Sequence, residues 1–366
     1  MPVAWLEVRG NRICRRPVPP STVLSPLRAE AARFGGRETR ARFPPGLTVS
    51  IRFPICSLLV VVACATAQTS PTRASITPRA DYHQHLVSPA FAPIAKLPPR
   101  DGKALLAELD SAGIEKAVVL SVAYSFADER KKLPNPDRLT TEENDWTSGQ
   151  VAASDGRLIG FCSANPLRDA ALAELERCLR LPGMRGIKLH FGNGGITLRD
   201  PSHAARLAQV FGLAERVRAP VLVHMRARGG KNYGAEDARL FLDRLVAVAP
   251  SIDVVVAHFG GSGPGYPAQA DSVMDAFGAA AERGDMRMRN VYFDVATIVT
   301  EETTPENAAL VARRIRQIGA RRVLYGSDLG PPGGSIAAGW QIFRDKVPLT
   351  TEELRTIAGN VPRFAR

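Results

Sequence analysis

Eight short apolar runs recur between residue 80 and the C-terminal region, and each leads into a polar turn and then an amphipathic stretch. The runs are Asp81–His85, Ala117–Ala123, Ile159–Asn165, Gly186–Phe191, Val221–Arg226, Val254–Gly260, Val291–Thr297 and Val323–Asp328. They are rich in Val, Ile and Leu, as strands covered on both faces should be. Helical spacing fills the intervals: Leu172, Leu175 and Leu179; Leu242, Leu245 and Val246; Val311, Ile315 and Ile318. Asp200-Pro201 reads as a helix start, a cap residue followed by proline in the first turn. Strand alternating with helix predicts a parallel sheet with right-handed crossovers. Eight such units in about 290 residues predict a closed (β/α)8 TIM barrel as a single domain over 80–366, since such barrels run to roughly 250 residues. A doubly wound open sheet is the structural alternative. No G-x-G-x-x-G follows the first run to support it, and Gly192-Asn193-Gly194-Gly195 is only a glycine-rich loop.

The residues before the barrel read differently. Residues 50–67 place one arginine, Arg52, before an apolar run that ends in small residues, the layout of a secretory signal. Ala65-Thr66-Ala67 fits a cleavage site. Val61-Val62-Ala63-Cys64 also resembles a lipobox, which would make Cys64 the lipidated first residue of the mature chain. The reading is therefore an exported protein, periplasmic or lipid-anchored to a bacterial membrane. Signals begin near their initiator, so we expect translation to start near Val49, with residues 1–48 a non-native or disordered leader, 49–67 the signal peptide and 68–79 a flexible linker.

Charge narrows the partners. The net charge is +12 over 366 residues, but residues 1–67 hold ten Arg, no Lys and three Glu. The remaining 299 residues hold 38 basic and 33 acidic side chains, a mild excess without a basic stripe. That is a solvated mixed-charge surface and not a nucleic-acid site; the expected partner is a small-molecule substrate. The five cysteines form no C-x-x-C pair, which excludes a zinc ribbon. Cys162 and Cys178 read as buried small side chains without a disulfide.

Five of the six histidines fall in or at the ends of predicted strands: His83, His85, His190, His224 and His258. Strand C-termini form the reactive face of a barrel. In His83-Gln84-His85 the two imidazoles lie two residues apart and share one side of the strand, so they can bind one metal ion. His224 ends the fifth run and His258 the sixth. Asp328 closes the eighth, in Tyr325-Gly326-Ser327-Asp328, and can offer one oxygen to a metal and take a proton with the other; an Asp here is also a common helix cap. Lys188 and His190 share a face of the fourth run. A buried lysine needs a reason: substrate, a carboxylate partner, carboxylation, or a plain structural ion pair.

Taken together these residues resemble the amidohydrolase superfamily, specifically the amidohydrolase-related group called family 2. GIKLH, YGSD and the terminal LTTEELRTIAGN are similar to that group as well. The resemblance implies that His83, His85, His224 and Asp328 hold one divalent metal, zinc by preference, and that His258 binds a second metal or acts as acid or base. Two-metal members use a carboxylated lysine on strand 4, where Lys188 stands. The implied function is metal-assisted hydrolysis of an amide, ester or lactone carbonyl, with Asp328 as proton carrier and His258 or Lys188 stabilising the oxyanion. The alternative it implies is a decarboxylase of a carboxylated aromatic or muconate-like acid. A non-enzymatic binding protein is a more distant third reading. His190, Asn193, Arg226 (with Arg228 beside it) and Trp146, from the segment Glu142–Trp146, are candidate substrate contacts. The arginines can equally be solvated loop charges, and the Trp146 segment can equally begin a helix.

Overall fold

The computed structural model describes residues 73–228, 230, 232–328 and 334–366. The expected leader, signal peptide and lipobox, and residues 68–72 of the linker, lie outside the described residues. Eight strands appear where eight runs were expected: β1 (Ala80–Gln84), β2 (Lys116–Leu120), β3 (Leu158–Ser163), β4 (Met184–His190), β5 (Val221–His224), β6 (Val254–Val256), β7 (Val291–Asp294) and β8 (Val323–Leu324). All neighbouring pairs are parallel, in the order β1 through β8. The last strand returns to the first. Tyr82 N–H donates to Tyr325 O and Asp328 N–H to His83 O, each at 2.8 Å.

A helix follows each strand: α1 (Gly102–Ala112), α2 (Pro136–Ala152), α3 (Ala171–Cys178), α4 (Pro201–Val217), α5 (Ala235–Arg244), α6 (Ala268–Glu282), α7 (Pro305–Ile318) and α8 (Ile336–Lys346), with α9 (Thr351–Gly359) after them. Asp200 caps α4 as its sequence predicts: the carboxylate accepts from Ser202 N at 2.8 Å, ahead of Pro201. The fold is a (β/α)8 barrel.

Alternation along the strands builds two apolar layers. Outward residues such as Ile187, Leu189, Val221, Val223, Val254 and Val256 join the helix faces in the larger one. Inward residues Tyr82, Val118, Leu120, Ile159, Phe161, Leu222, Val255 and Leu324 fill the barrel. Phe364, near the C-terminus, packs its ring edge-on against Tyr82 and Phe161 and closes the floor. Gly186 is the inward residue of β4 at the Phe161 level. A Cβ there would stand 2.6 Å from the Phe161 ring, so only glycine leaves room. Above this apolar floor the inward positions turn polar.

Three expectations differ from the structure. Several apolar runs were read beyond the end of their strand, as at 257–260, where a 3-10 turn replaces the extended chain. Residues 73–79, expected as free linker, are pinned: Ile76 is buried, Trp340 Nε1 donates to its carbonyl at 2.7 Å, and the Arg73 guanidinium holds carbonyls at the C-terminal end of α8, including Val347 O at 3.0 Å. A cation at a helix C-terminus is held by the unpaired carbonyls there. Finally, Cys162 and Cys178 are joined in a disulfide. Cys162 is an outward residue of β3 and Cys178 ends α3, which packs on that strand; their Cα atoms lie 5.9 Å apart, within bonding reach.

Candidate active site and metal centre

The polar upper layer gathers at the C-terminal ends of the strands. β1 supplies His83 and, one residue past its end, His85. Simple alternation would set Tyr82 and His83 on opposite faces. A register shift between Asp81 and Gln84 breaks the alternation, so that Tyr82 joins the inner apolar cluster while His83 also faces inward. Buried Asp81 fixes the irregularity, accepting from His83 N at 3.0 Å, Gln84 Nε2 at 2.7 Å and Ser327 N at 3.1 Å. Gly326 is the counterpart on the returning chain, because a Cβ there would lie 2.7 Å from His83 Cβ.

His258 reaches the site by another irregularity. As a regular strand residue it would share the outward face of Val254 and Val256. The backbone instead turns left-handed at His258 and Phe259, with φ of 51° and 50°. Asp328 is also left-handed, with φ 47°. Side-chain-bearing residues held in that region cluster where function over-determines them.

Hydrogen bonds dictate the tautomers. His85 Nδ1 donates to Leu120 O at 2.8 Å and His258 Nδ1 to Ala296 O at 3.0 Å, since a carbonyl only accepts. His83 Nδ1 donates to Asp294 Oδ2 at 2.9 Å, while Asp294 Oδ1 accepts from His258 N at 2.8 Å. Each of the three rings is left with a bare Nε2. All three face Asp328: His83 and His85 at 3.7 and 3.6 Å from Oδ1, His258 at 3.8 Å from Oδ2. Lys188 Nζ lies 3.4 Å from His83 Nε2.

Burial holds these imidazoles uncharged. It pushes His83, His224 and His190 well below the ordinary histidine range and His85 down to about 3, with the Lys188 charge adding to the effect. It also raises the Asp328 carboxyl, Asp294 adding and Lys188 opposing, and lowers the Lys188 ammonium. Imidazole lone pairs thus converge on the Asp328 carboxyl across 3.6–3.8 Å, with the Lys188 ammonium beside them. A cation is the physical partner of such a set, and the His/His/Asp group has the donor chemistry of a divalent metal site. The buried His224 Nδ1, which has no hydrogen-bond partner among the described residues, is a further candidate ligand atom near it.

The sequence-predicted residues are brought together unequally. His83, His85 and Asp328 form one tight group of possible ligands, and His83, His258 and Asp294 a second. His224 stands one step aside, its ring stacked on His190 at 3.9 Å and 5.1 Å from that of His258. His190 Nδ1 accepts from Asn193 N at 3.2 Å, capping the short turn Phe191–Gly194. Arg226 donates to Ser262 Oγ at 3.1 Å. Arg228 is occupied, tying Gly192 O, Asn193 O and the buried Asp128 together. Trp146 does not join this group. It lies within α2 and packs half-buried against the helix–strand layer, which is the helix reading of its segment.

Two members went unread in the sequence. Asp294 ends β7 much as Asp328 follows β8, and that parallel was a usable signal. Tyr124 sits in a turn after β2 with its ring 4.8 Å from His190, and nothing in its surroundings marked it.

Comparison with known proteins bears on the fold and the family. The family model described as amidohydrolase (family 2) matches residues 80–363. No curated protein matches the sequence. A protein described as a probable 2-pyrone-4,6-dicarboxylic acid hydrolase from Acinetobacter baumannii, solved with citric acid bound, is 17% identical with TM-score 0.52, over 77% of this chain and 96% of that one. The 5-carboxyvanillate decarboxylase of Novosphingobium aromaticivorans, solved with manganese, is 14% identical with TM-score 0.50, over 78% and 95%. The 4-oxalomesaconate hydratase of Rhodopseudomonas palustris is 16% identical with TM-score 0.50, over 76% and 93%. At such identities the solved structures speak for the fold. It is the family model, spanning the whole barrel from β1 to the closing C-terminal segment, that places the sequence: this chain belongs to the amidohydrolase family, in its amidohydrolase-related group, family 2.

Proposed function

We propose that the protein is a metal-dependent hydrolase acting on an amide, ester or lactone carbonyl of a small molecule. The observation that carries this reading is the convergence of three unprotonated Nε2 atoms on the Asp328 carboxylate. His83, His85, His224 and Asp328 would hold one divalent cation, zinc being the first candidate for a nitrogen and oxygen donor set. A cation so held polarises a carbonyl and makes water nucleophilic near neutral pH. Asp328 keeps 27% of its side chain exposed at the mouth, and burial of the rest raises its proton affinity. It takes the proton of the attacking water and returns it to the leaving group. Lys188 faces the same point, where its ammonium opposes negative charge developing on the substrate oxygen, while the bare Nε2 of His258 beside it can only accept a proton. Asp294 holds His83 and the His258 backbone in place. Arg226, His190 and Asn193 would orient the substrate from the β4 and β5 side.

One observation favours a second reading. A buried ammonium, Lys188, lies within the histidine cluster, where it can hold a substrate carboxylate. With His258 acting as acid once its Nε2 has taken up a proton, the same layout suits decarboxylation of a carboxylated aromatic or muconate-like acid. Release of CO2 distinguishes the lyase, and ring or amide opening the hydrolase. Export belongs to the proposal as well. The Cys162–Cys178 disulfide supports it, because such bonds persist in oxidising compartments.

The test is the metal content of protein purified without added metal, read by plasma mass spectrometry. We expect about one zinc per chain, absent in His83→Ala/His85→Ala, and a fall in kcat of about 10²–10⁴-fold in Asp328→Asn. A folded protein that carries no metal and takes up no zinc overturns the proposal.

A further inference from the structure

A cavity of about 310 Å³ opens beside Asp328, between the segment after β7 and helix α8. That is the volume of a small-ligand site. Its walls are mostly apolar and include Val295, Val299, Tyr325, Ala338, Ile342 and Phe343. Ala338 and Ile342 lie one helical turn apart on α8 and so present one face to it. The Tyr325 hydroxyl already donates to Ile336 O at 2.6 Å. No lysine or arginine stands among the described lining residues, whereas Asp328 and the exposed Glu301 and Glu302 do. Away from its Asp328 end, a carboxylate entering this chamber would meet the carboxylates of Glu301 and Glu302 and no basic side chain among the described lining residues. An uncharged apolar group would meet matching walls, removed from water at a gain proportional to its buried area.

We infer that this cavity receives an uncharged aryl or short alkyl group, carried on one side of the carbonyl that reacts at Asp328. The placement of the reacting carbonyl rests on the hydrolase reading; filling of the cavity does not. The substrate class is thereby narrowed to molecules with an apolar flank reaching toward α8 and any charged group directed elsewhere in the mouth.

The experiment is calorimetric titration of the full chain with p-cresol and with the longer 4-butylphenol, in the parent protein and two variants of the α8 wall. Ala338→Leu fills the chamber and is expected to weaken p-cresol binding about tenfold. Ile342→Ala enlarges it and is expected to shift preference toward 4-butylphenol by about tenfold. Because one variant adds volume and the other removes it, misfolding of either leaves the second readable. Absence of p-cresol binding to the parent, or affinities that neither variant changes, overturns the inference. Binding that depends on Ala338 in a protein without hydrolytic activity upholds the cavity while the hydrolase reading fails.

Discussion

At the scale of single residues, the site depends on what orients the ligand nitrogens. Asp294 accepts from His83 Nδ1 and so leaves the lone pair on Nε2. Outer carboxylates of this kind set the tautomer and basicity of a ligating imidazole. Asp294→Asn is expected to lower metal affinity about 10–100-fold, measured by competition with a chelator; unchanged affinity would deny Asp294 this orienting role. Glu143 is a second informative residue, buried on α2 with one oxygen accepting from Ser88 Oγ at 2.5 Å and the other without a partner among the described residues. Burial raises its carboxyl from the ordinary 4.5 to about 7. The folded chain therefore keeps a proton that the unfolded chain loses as pH rises from 4.5 to about 7. Stability must fall across that window, by on the order of 3 kcal/mol, and level off above it. Glu143→Gln removes the effect. Its advantage over the parent in urea midpoint is expected to grow between pH 5 and pH 8, and an advantage that stays constant would show the carboxyl to titrate normally.

At the scale of elements, close approach and irregularity position the chemistry. Phe161 from β3 occupies the space that a side chain at Gly186 on β4 would need. Gly186→Ala is expected to cost about 1–3 kcal/mol through overpacking. Chemical denaturation would read this, and adding Phe161→Leu should recover much of the loss. If Gly186→Ala alone is neutral, the ring is freer than its packing indicates. Irregular strand ends matter equally. The bulge in β1 and the left-handed exit from β6 aim His83 and His258 at a common point that regular strands would miss. The eight strands were legible in the sequence because apolar period and length are local properties. Their true ends were not: β6 stops at Val256, although the apolar letters run on.

At the scale of the molecule, the barrel interior is divided into an apolar floor and a polar mouth. The floor is completed by the C-terminus, where Phe364 lies 6.1 Å from Tyr82 and 5.6 Å from Phe161, ring to ring. Phe364→Ala is expected to cost about 2 kcal/mol for this half-buried ring while leaving metal content unchanged. A stability loss accompanied by metal loss would mean that floor and mouth are coupled more tightly than the layering suggests.

The sequence by itself determined the barrel, the strand in which or after which each of the five site histidines stands, the capping of α4 and the four letters YGSD that bring Asp328 to the mouth. These follow from periodicity and from turn chemistry, which act over a few residues. Only the tertiary structure decided the rest. Cys162 and Cys178 are sixteen residues apart, and their bond depends on how α3 packs on β3. Arg228 read as a substrate contact or a solvated loop charge and is held by Asp128, a hundred residues away. Asp294 acquires meaning only when β7 lies beside β6 and across from His83. Each of these relations joins groups distant along the chain, and hydrophobic period carries no information about which distant partners a closed sheet will bring together.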